Sequence, residues 1–256
     1  MDYELFIKKV KEFTGIDLTN YKRPQMERRI MSLMRAQGFP NYREYLEILK
    51  KDPNQFDKFL NHLTINVSEF YRNSNQWDIL HQKILPEILR RNPRPKTWSA
   101  GCATGEESYT LAMLLREATT GHFPRILATD IDERALAKAK AGIYQERAVE
   151  HLPPYYVKKY LTKVGDAYQV VDDLKKLVNF QKHDLLKDPF ENNFDLILCR
   201  NVVIYFTNEA KDTLYRRFRD ALRPGGILFT GSTEQLFQAS RLGMEAISSF
   251  FYQRKN

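Results

Sequence analysis

The stretch "TWSAGCATGEESYT", Thr97 to Thr110, decides how the chain is read. A short apolar strand runs into a turn carrying Gly101 and Gly105, and "EESYTLAMLLREA" continues with helical spacing of its apolar residues. Strand, glycine turn and helix in that order belong to a βαβ unit, whose first turn commonly cradles a nucleotide-like ligand. The glycines stand as G-x-x-x-G, not as the G-x-G-x-x-G of dinucleotide binders. Gly101 allows a sharp turn, and Gly105 is expected to permit close approach of a ligand. Thr104 and Glu107 have capping-box spacing, which sets the helix start beside them. Glu106 and Glu107 place two acids at this N-terminus, where they complement the helix dipole but repel a pyrophosphate. A ligand with a positive group and no phosphate fits better. S-adenosylmethionine, with an ammonium and a sulfonium, meets that description; a plain strand–turn–helix joint is the alternative.

The alternation continues outward from this stretch. "RILATD" reads as a strand, "DERALAKAKAG" as a helix capped by Asp132, and "LVNFQKHD" and the apolar "FDLILCR" as further strands. "NEAKDTLYRRFRDAL" reads as a helix closed by "RPGG", and "GILFTGS" and "ISSFFYQRK" as two last strands able to form an antiparallel edge. Strands alternating with helices predict an α/β, doubly wound, mostly parallel sheet over residues 96–256. Residues of about 143–180 interrupt the pattern and predict an inserted subdomain or lid, in which "PPYY" (153–156) reads as a turn. Residues 1–62 are predicted to be a small all-helical domain. In "DYELFIKKVKEF" the residues Tyr3, Phe6, Ile7, Val10 and Phe13 share a face and Gly15 ends the helix. A second, strongly basic helix carries Arg28, Arg29 and Arg35, and "NYREYLEILK" continues the helical pattern. On pattern alone the basic helix reads first as a solvated face. Residues 63–95 form a connector.

The totals fit this reading. Hydrophobic residues make up 43% and charged residues 28% of 256, as in ordinary globular proteins, and the longest apolar runs are strand-sized. The net charge of +8 leaves nucleic acid, an anionic surface or an acidic protein as partners, or simply a solvated basic surface. Two cysteines without a C-x-x-C and five scattered histidines predict neither a disulfide framework nor a metal site, and fit a reducing cytoplasm. The N-terminus lacks the basic start and apolar core of a signal peptide.

Ligands of doubly wound sheets bind beyond the C-terminal ends of the strands. That edge should carry Asp130, placed to accept from ribose hydroxyls, although NAD enzymes use the same device. Asp184 is placed to accept from an adenine amino group, and the Leu185 backbone to reach a ring nitrogen. Arg200, Asn201 and Tyr205 follow the fourth strand. Enzymes that methylate exocyclic base amines usually carry [DN]-P-P-[YF] there; this chain has Cys-Arg-Asn-Val. Cys199 ends a buried strand and reads as a core residue.

Together "TINVSEFYR" (64–72), "WSAGCATGEESYT" (98–110), "ATDID" (128–132), "CRNVVIYF" (199–206) and "LRPGGILFTGSTE" (222–234) resemble the bacterial chemotaxis receptor methyltransferases, the CheR family. The resemblance covers essentially the whole chain. It implies a class I, Rossmann-like S-adenosylmethionine-dependent methyltransferase domain with a small inserted β-subdomain behind a helical N-terminal domain. It also implies methyl ester formation on glutamate side chains in the cytoplasmic methylation region of receptors, with S-adenosylhomocysteine as product and no metal. By motif it carries cofactor contacts onto Asn66, Ser68, Arg72, Glu106, Asp130, Asp184, Leu185, Arg200 and Asn201, and substrate orientation onto Tyr205. The segment "TKVGDAYQV" is shorter than in members whose β-subdomain docks a receptor tail. Contact is therefore expected through Arg28, Arg29 and Arg35 of the basic helix. A cytoplasmic monomer that binds no nucleic acid and reaches the membrane only through receptors is expected. The rival readings are an RNA or DNA methyltransferase and a non-enzymatic sensor of the cofactor.

Overall fold

A computed structural model describes residues 1–64, 68–119 and 124–255. Asn66, named above as a cofactor contact, lies outside the described residues. The chain forms two compact units, one of Met1–Asn66 with Tyr205–Asp212, the other of Val67–Ile204 with Thr213–Asn256.

In the first unit α1 (Tyr3–Thr14), α2 (Arg23–Ala36), α3 (Tyr42–Lys51) and α4 (Pro53–Leu63) surround a core of their own. Asp2, Asn41 and Asp52 accept main-chain N–H groups at the starts of α1, α3 and α4, satisfying donors that a helix start leaves unpaired. The expected stripe of α1 is buried at Tyr3, Phe6, Ile7 and Val10, while Phe13 at its end stays exposed. Phe6, Tyr45 and Phe59 form the aromatic centre, with ring centroids 6.0–6.3 Å apart. The segment from Tyr205 is stitched to the loop before α2: Lys22 N donates to Tyr205 O (2.9 Å), Thr207 N donates to Asn20 O (2.9 Å), and the Tyr21 and Phe206 rings meet edge to face at 5.0 Å.

The second unit opens with α5 (Ser74–Ile79), which runs through one π-helical turn into α6 (Leu85–Arg91). Then follow β1 (Thr97–Ala100), α7 (Glu106–Ala118), β2 (Ile126–Asp130) and α8 (Glu133–Ala141). The insertion comprises β3 (Ile143–Gln145), α9 (Glu146–Val149), α10 (Pro154–Tyr160), β4 (Leu161–Val164), β5 (Ala167–Val170) and α11 (Asp172–Lys175). The main sheet resumes with β6 (Val178–Lys182), β7 (Phe194–Cys199), α12 (Asn208–Ala221), whose first turns belong to the first unit, β8 (Leu222–Thr230), β9 (Met244–Ser248) and β10 (Phe251–Arg254).

The seven strands lie in the order β6-β2-β1-β7-β8-β10-β9. β6, β2, β1, β7 and β8 are parallel, and β10 runs antiparallel to both β8 and β9. β1 and β7 are buried along their whole length, as central parallel strands covered on both faces must be. Leu196, Ile197 and Leu198 are fully buried, each worth roughly 1.5–3 kcal/mol relative to exposure.

The expected antiparallel edge is present, with β10 against β8, but the run that forms it differs from the sequence expectation. "GILFTGS" pairs parallel with β7, and "ISSFFYQRK" is not one strand. It turns at Phe250, which adopts φ 68°, and forms a hairpin with the strand before it. No glycine or proline marks that turn, so the apolar run hid it. The insertion does form a small antiparallel sheet, β3-β5-β4, but it ends before β6 at Val178. "PPYY" is no free turn: Pro154 occupies the first turn of α10, where its missing N–H costs nothing.

Candidate functional site

The order of the parallel strands reverses between β1 and β7, with β2 on one side and β8 on the other. The crevice beyond the carboxyl ends of these strands is the ligand position of such sheets. The loop after β1 is fastened to the end of β2. Gly101 N and Cys102 N both donate to Thr129 O (2.8 and 2.9 Å), Ala103 N donates to Asp130 Oδ2 (2.8 Å), and Gly105 N donates to Cys102 O (2.9 Å). A phosphate cradle offers such N–H groups to its anion. Here these four are already spent on protein acceptors.

Gly105 serves a different purpose from the one its spacing implied. A Cβ there would come within 2.8 Å of Ala139 Cβ and 3.2 Å of Phe180 Cζ, and its φ is +94°. It lets α7 start against α8 and β6 rather than admitting a ligand. The capping box is likewise absent. Gly105 is the N-cap and supplies no side chain. The Thr104 hydroxyl donates to both oxygens of Glu106 (2.9 and 2.7 Å), and the Thr104 carbonyl accepts from the Tyr144 hydroxyl (2.7 Å) of β3.

Glu106 is 4% exposed and also accepts from Ser68. Burial raises its pKa above the ordinary 4.5, against these hydrogen bonds and the charge of Lys138. Asp130, at the end of β2, is also buried and raised by burial. Its two oxygens accept from Ala103 N and Asp132 N, at 2.8 and 2.9 Å. Ile131 N–H adds a third main-chain hydrogen bond, which leaves acceptor capacity on the carboxylate for a ligand donor. Asp132 caps α8 as expected, accepting from Arg134 N and Ala135 N. Asp184 Oδ1 accepts from Leu186 N (2.9 Å) while Asp184 N donates to Asp188 Oδ2 (2.8 Å), so a double turn shapes this loop. The Arg217 guanidinium holds the carbonyls of Leu185 and Asp188 and lies 4.0 Å over the Phe190 ring.

The Arg200 side chain has a role that differs from a ligand contact. It is buried beneath the crevice. Its guanidinium pairs with Glu107 (Nη1–Oε2 3.0 Å) and donates to Arg72 O (2.9 Å), Gln76 Oε1 (2.8 Å) and Asn73 Oδ1 (3.3 Å). It also faces the Trp77 and Phe229 rings at 5.2 and 4.7 Å. Burial pulls its pKa down and that of Glu107 up, and their pairing opposes both shifts. Glu107 is therefore neither cap nor ligand acid but the counter-charge of Arg200. The Arg72 carbonyl, held by Arg200 and by Trp77 Nε1 (3.0 Å), fixes the main chain from which the half-buried Arg72 side chain projects 3.9 Å from Glu69. Asn201 follows in the left-handed region at φ 58°, and its N–H donates to Glu234 Oε2 (2.6 Å).

The remaining predicted residues lie in the first unit. Arg28 and Arg35 are exposed and line one groove on α2 with Pro24, Glu27, Met31 and Ser32. Arg29 is not on that face. Its guanidinium donates to His62 O and the His62 ring meets Arg29 O (3.0 Å), so it joins α2 to α4. Tyr205 is half-buried and bears electrostatically on Arg29.

Comparison with known proteins agrees with this architecture. Residues 1–64 match the model of the CheR methyltransferase all-alpha domain, and residues 66–250 that of the CheR methyltransferase SAM binding domain. The chain belongs to the CheR methyltransferase family. Chemotaxis protein methyltransferases of Listeria innocua, Borreliella burgdorferi and Escherichia coli K12 are 42%, 38% and 32% identical to it. The matches cover 98%, 90% and 89% of this chain and 96%, 86% and 82% of theirs. It is thus a methyltransferase with an S-adenosylmethionine-binding domain.

The residues present fit the cofactor of a CheR methyltransferase. The Glu106 carboxylate, buried with hydroxyl partners, suits an ammonium group, and Asp130 suits a diol. Sequence reasoning did not find the side chains that hold this cradle: Gln76, Tyr144, the counter-charge Glu107, and Glu234. Each acts on a main-chain carbonyl, a main-chain N–H or an arginine far away in the chain, and no short motif signals such a partner.

Proposed function

We propose that this protein transfers the methyl group of S-adenosylmethionine to glutamate side chains of chemotaxis receptors, forming methyl esters and adapting chemotactic signalling from the cytoplasm. The observation that carries the reading is the acidic crevice. Two buried carboxylates, Glu106 and Asp130, stand beside a loop in which the N–H groups of Gly101, Cys102, Ala103 and Gly105 are already committed to protein. That chemistry selects a cationic, phosphate-free ligand rather than a dinucleotide.

When bound, the cofactor would supply an electrophilic methyl on a sulfonium to the substrate carboxylate oxygen. Glu106 would hold the ammonium, Arg72 would pair with the cofactor carboxylate, and Asp130 would fix the ribose. Asp184 and the Leu185 main chain read the adenine, and Ser68 sets the Glu106 carboxylate. Asn66 is proposed as a further contact by its motif. No base is required, because a glutamate side chain of pKa about 4.3 is ionised at neutral pH. Attack neutralises both charges, so a strongly cationic substrate pocket would stabilise the ground state more than the transition state. The Tyr205 hydroxyl is proposed to orient the substrate oxygen without fully pairing it, consistent with the demands of alignment and water exclusion. Arg28 and Arg35 offer an exposed basic groove for the acidic methylation region of a receptor.

The test is tritium transfer from labelled S-adenosylmethionine to receptor-rich membranes, followed by mild alkali. Alkali-labile label on receptors is expected. Label in RNA alone, or cofactor binding with no ester on any receptor fraction, overturns the reading.

A further inference from the structure

The last motif of the chain, "GSTE" after β8, carries no cofactor contact, yet its acid is 4% exposed. Glu234 Oε2 accepts from Asn201 N (2.6 Å) and Gly231 N (2.9 Å), and Oε1 accepts from Ile204 N (3.3 Å). Val203 N also contributes a hydrogen bond. One buried carboxylate thus gathers main-chain donors from two loops, the turn after β7 and the turn after β8. The turn after β7 needs such a clamp. It sits at the switch point, and Asn201 holds a left-handed conformation that costs a non-glycine residue energy unless its surroundings impose it. The clamp leaves no room at its base: a Cβ on Gly231 would lie 2.6 Å from Glu234 Oε2 and 2.7 Å from Asn201 N.

We propose that Glu234 is a positioning residue of the methyl-transfer site, its buried carboxylate fixing the turn after β7 in the conformation that presents Asn201 to the cofactor. The proposal rests on the cofactor reading, and on the cofactor contact that the family resemblance gives Asn201. Glu234 itself touches main chain and does not contact ligand or substrate.

Two variants test it. Glu234→Gln keeps size but places an amide NH2 against at least one of the N–H donors, which lie on both oxygens. Gly231→Ala keeps the charge but displaces the carboxylate. For both, S-adenosylhomocysteine affinity is measured by calorimetry, steady-state kinetics by receptor methylation, and amide exchange by mass spectrometry. The expected result is folded protein with at least tenfold weaker binding and KM for S-adenosylmethionine raised more than kcat is lowered. Exchange at least tenfold faster in the peptide covering 200–204 is expected, with residues 1–64 unchanged. Wild-type affinity together with wild-type exchange at 200–204 overturns the proposal, as does acceleration spread evenly over the chain, which marks a general stability role. If the wild-type protein fails to bind S-adenosylhomocysteine, the cofactor reading falls. The exchange measurement, which needs no ligand, then decides the clamp separately: local acceleration supports it and unchanged exchange overturns it.

Discussion

Replacing Arg200 by methionine separates a structural brace from a ligand contact. The Arg200 side chain is 2% exposed and that of Glu107 13%, and they pair at 3.0 Å. Arg200→Met leaves the largely buried Glu107 with the Ser99 hydroxyl at 3.4 Å as its remaining partner among the described hydrogen bonds. It also strips Gln76 Oε1 of its donor, whereas Arg72 O keeps Trp77 Nε1. Breaking a buried pair from one side costs about 3–5 kcal/mol, because one charge stays desolvated without compensation. At about 2–4 °C per kcal/mol for a domain of this size, the midpoint of the second unit should fall by roughly 6–20 °C. Removing both charges in Arg200→Met/Glu107→Leu ends the desolvation penalty, so stability should return to within ~2 kcal/mol of wild type. Urea unfolding with matched m-values of wild type, Arg200→Met, Glu107→Leu and the double variant closes the cycle, which gives the coupling directly. If Arg200→Met lies within ~1 kcal/mol of wild type, or the double variant is less stable than the single one, the brace argument fails.

Other expectations follow from the crevice and the basic helix. Asp130→Ala should weaken S-adenosylhomocysteine binding by about 10- to 100-fold, the range of one to two charge-assisted hydrogen bonds, and unchanged affinity by calorimetry refutes the ribose role. The pKa of Glu106 is raised in the free protein and should be lowered by the ligand ammonium. Binding in the acid range just above 4.5 should therefore release a proton, and affinity should fall as pH drops through the raised value; calorimetry in buffers of different ionisation enthalpy reads this, and no dependence on buffer contradicts it. Glu106 and Asp130 are raised in the folded state, so both bind more protons folded than unfolded above their ordinary values. Their contribution to the stability of the free protein is present at low pH and is lost as pH rises through that window, to be read by thermal unfolding against pH. Reversing the charges of Arg28 and Arg35 should lower receptor methylation at low salt and leave cofactor affinity intact, whereas Arg29→Ala should act on stability through the α2–α4 junction. Equal methylation at low salt would make Arg28 and Arg35 a solvated face.

The parts of this molecule that could be read from sequence are those fixed by near neighbours in the chain. β1 and β7 are legible because central parallel strands are apolar on both faces, and Asp132 is legible as a cap because its partners are two and three residues away. The hairpin at Phe250 is not, because the chain turns through a left-handed aromatic residue inside an apolar run. The two acids of "GEES" show the limit most clearly. They are adjacent and both sit in the first turn of α7; the motif singled out Glu106 as a cofactor contact and spacing made Glu107 a cap, but nothing near either in the chain points Glu107 to Arg200. One helical step rotates a side chain by about 100°, which turns Glu106 toward Thr104 and Ser68 and Glu107 toward the end of β7. Arg200 is 93 residues away and reaches Glu107 only because β7, not β3, β4, β5 or β6, pairs with β1. The assignment of Glu107 to the brace is therefore a consequence of strand order. Arg200 is neutralised by Glu107, which leaves Glu106 for the ammonium contact proposed above.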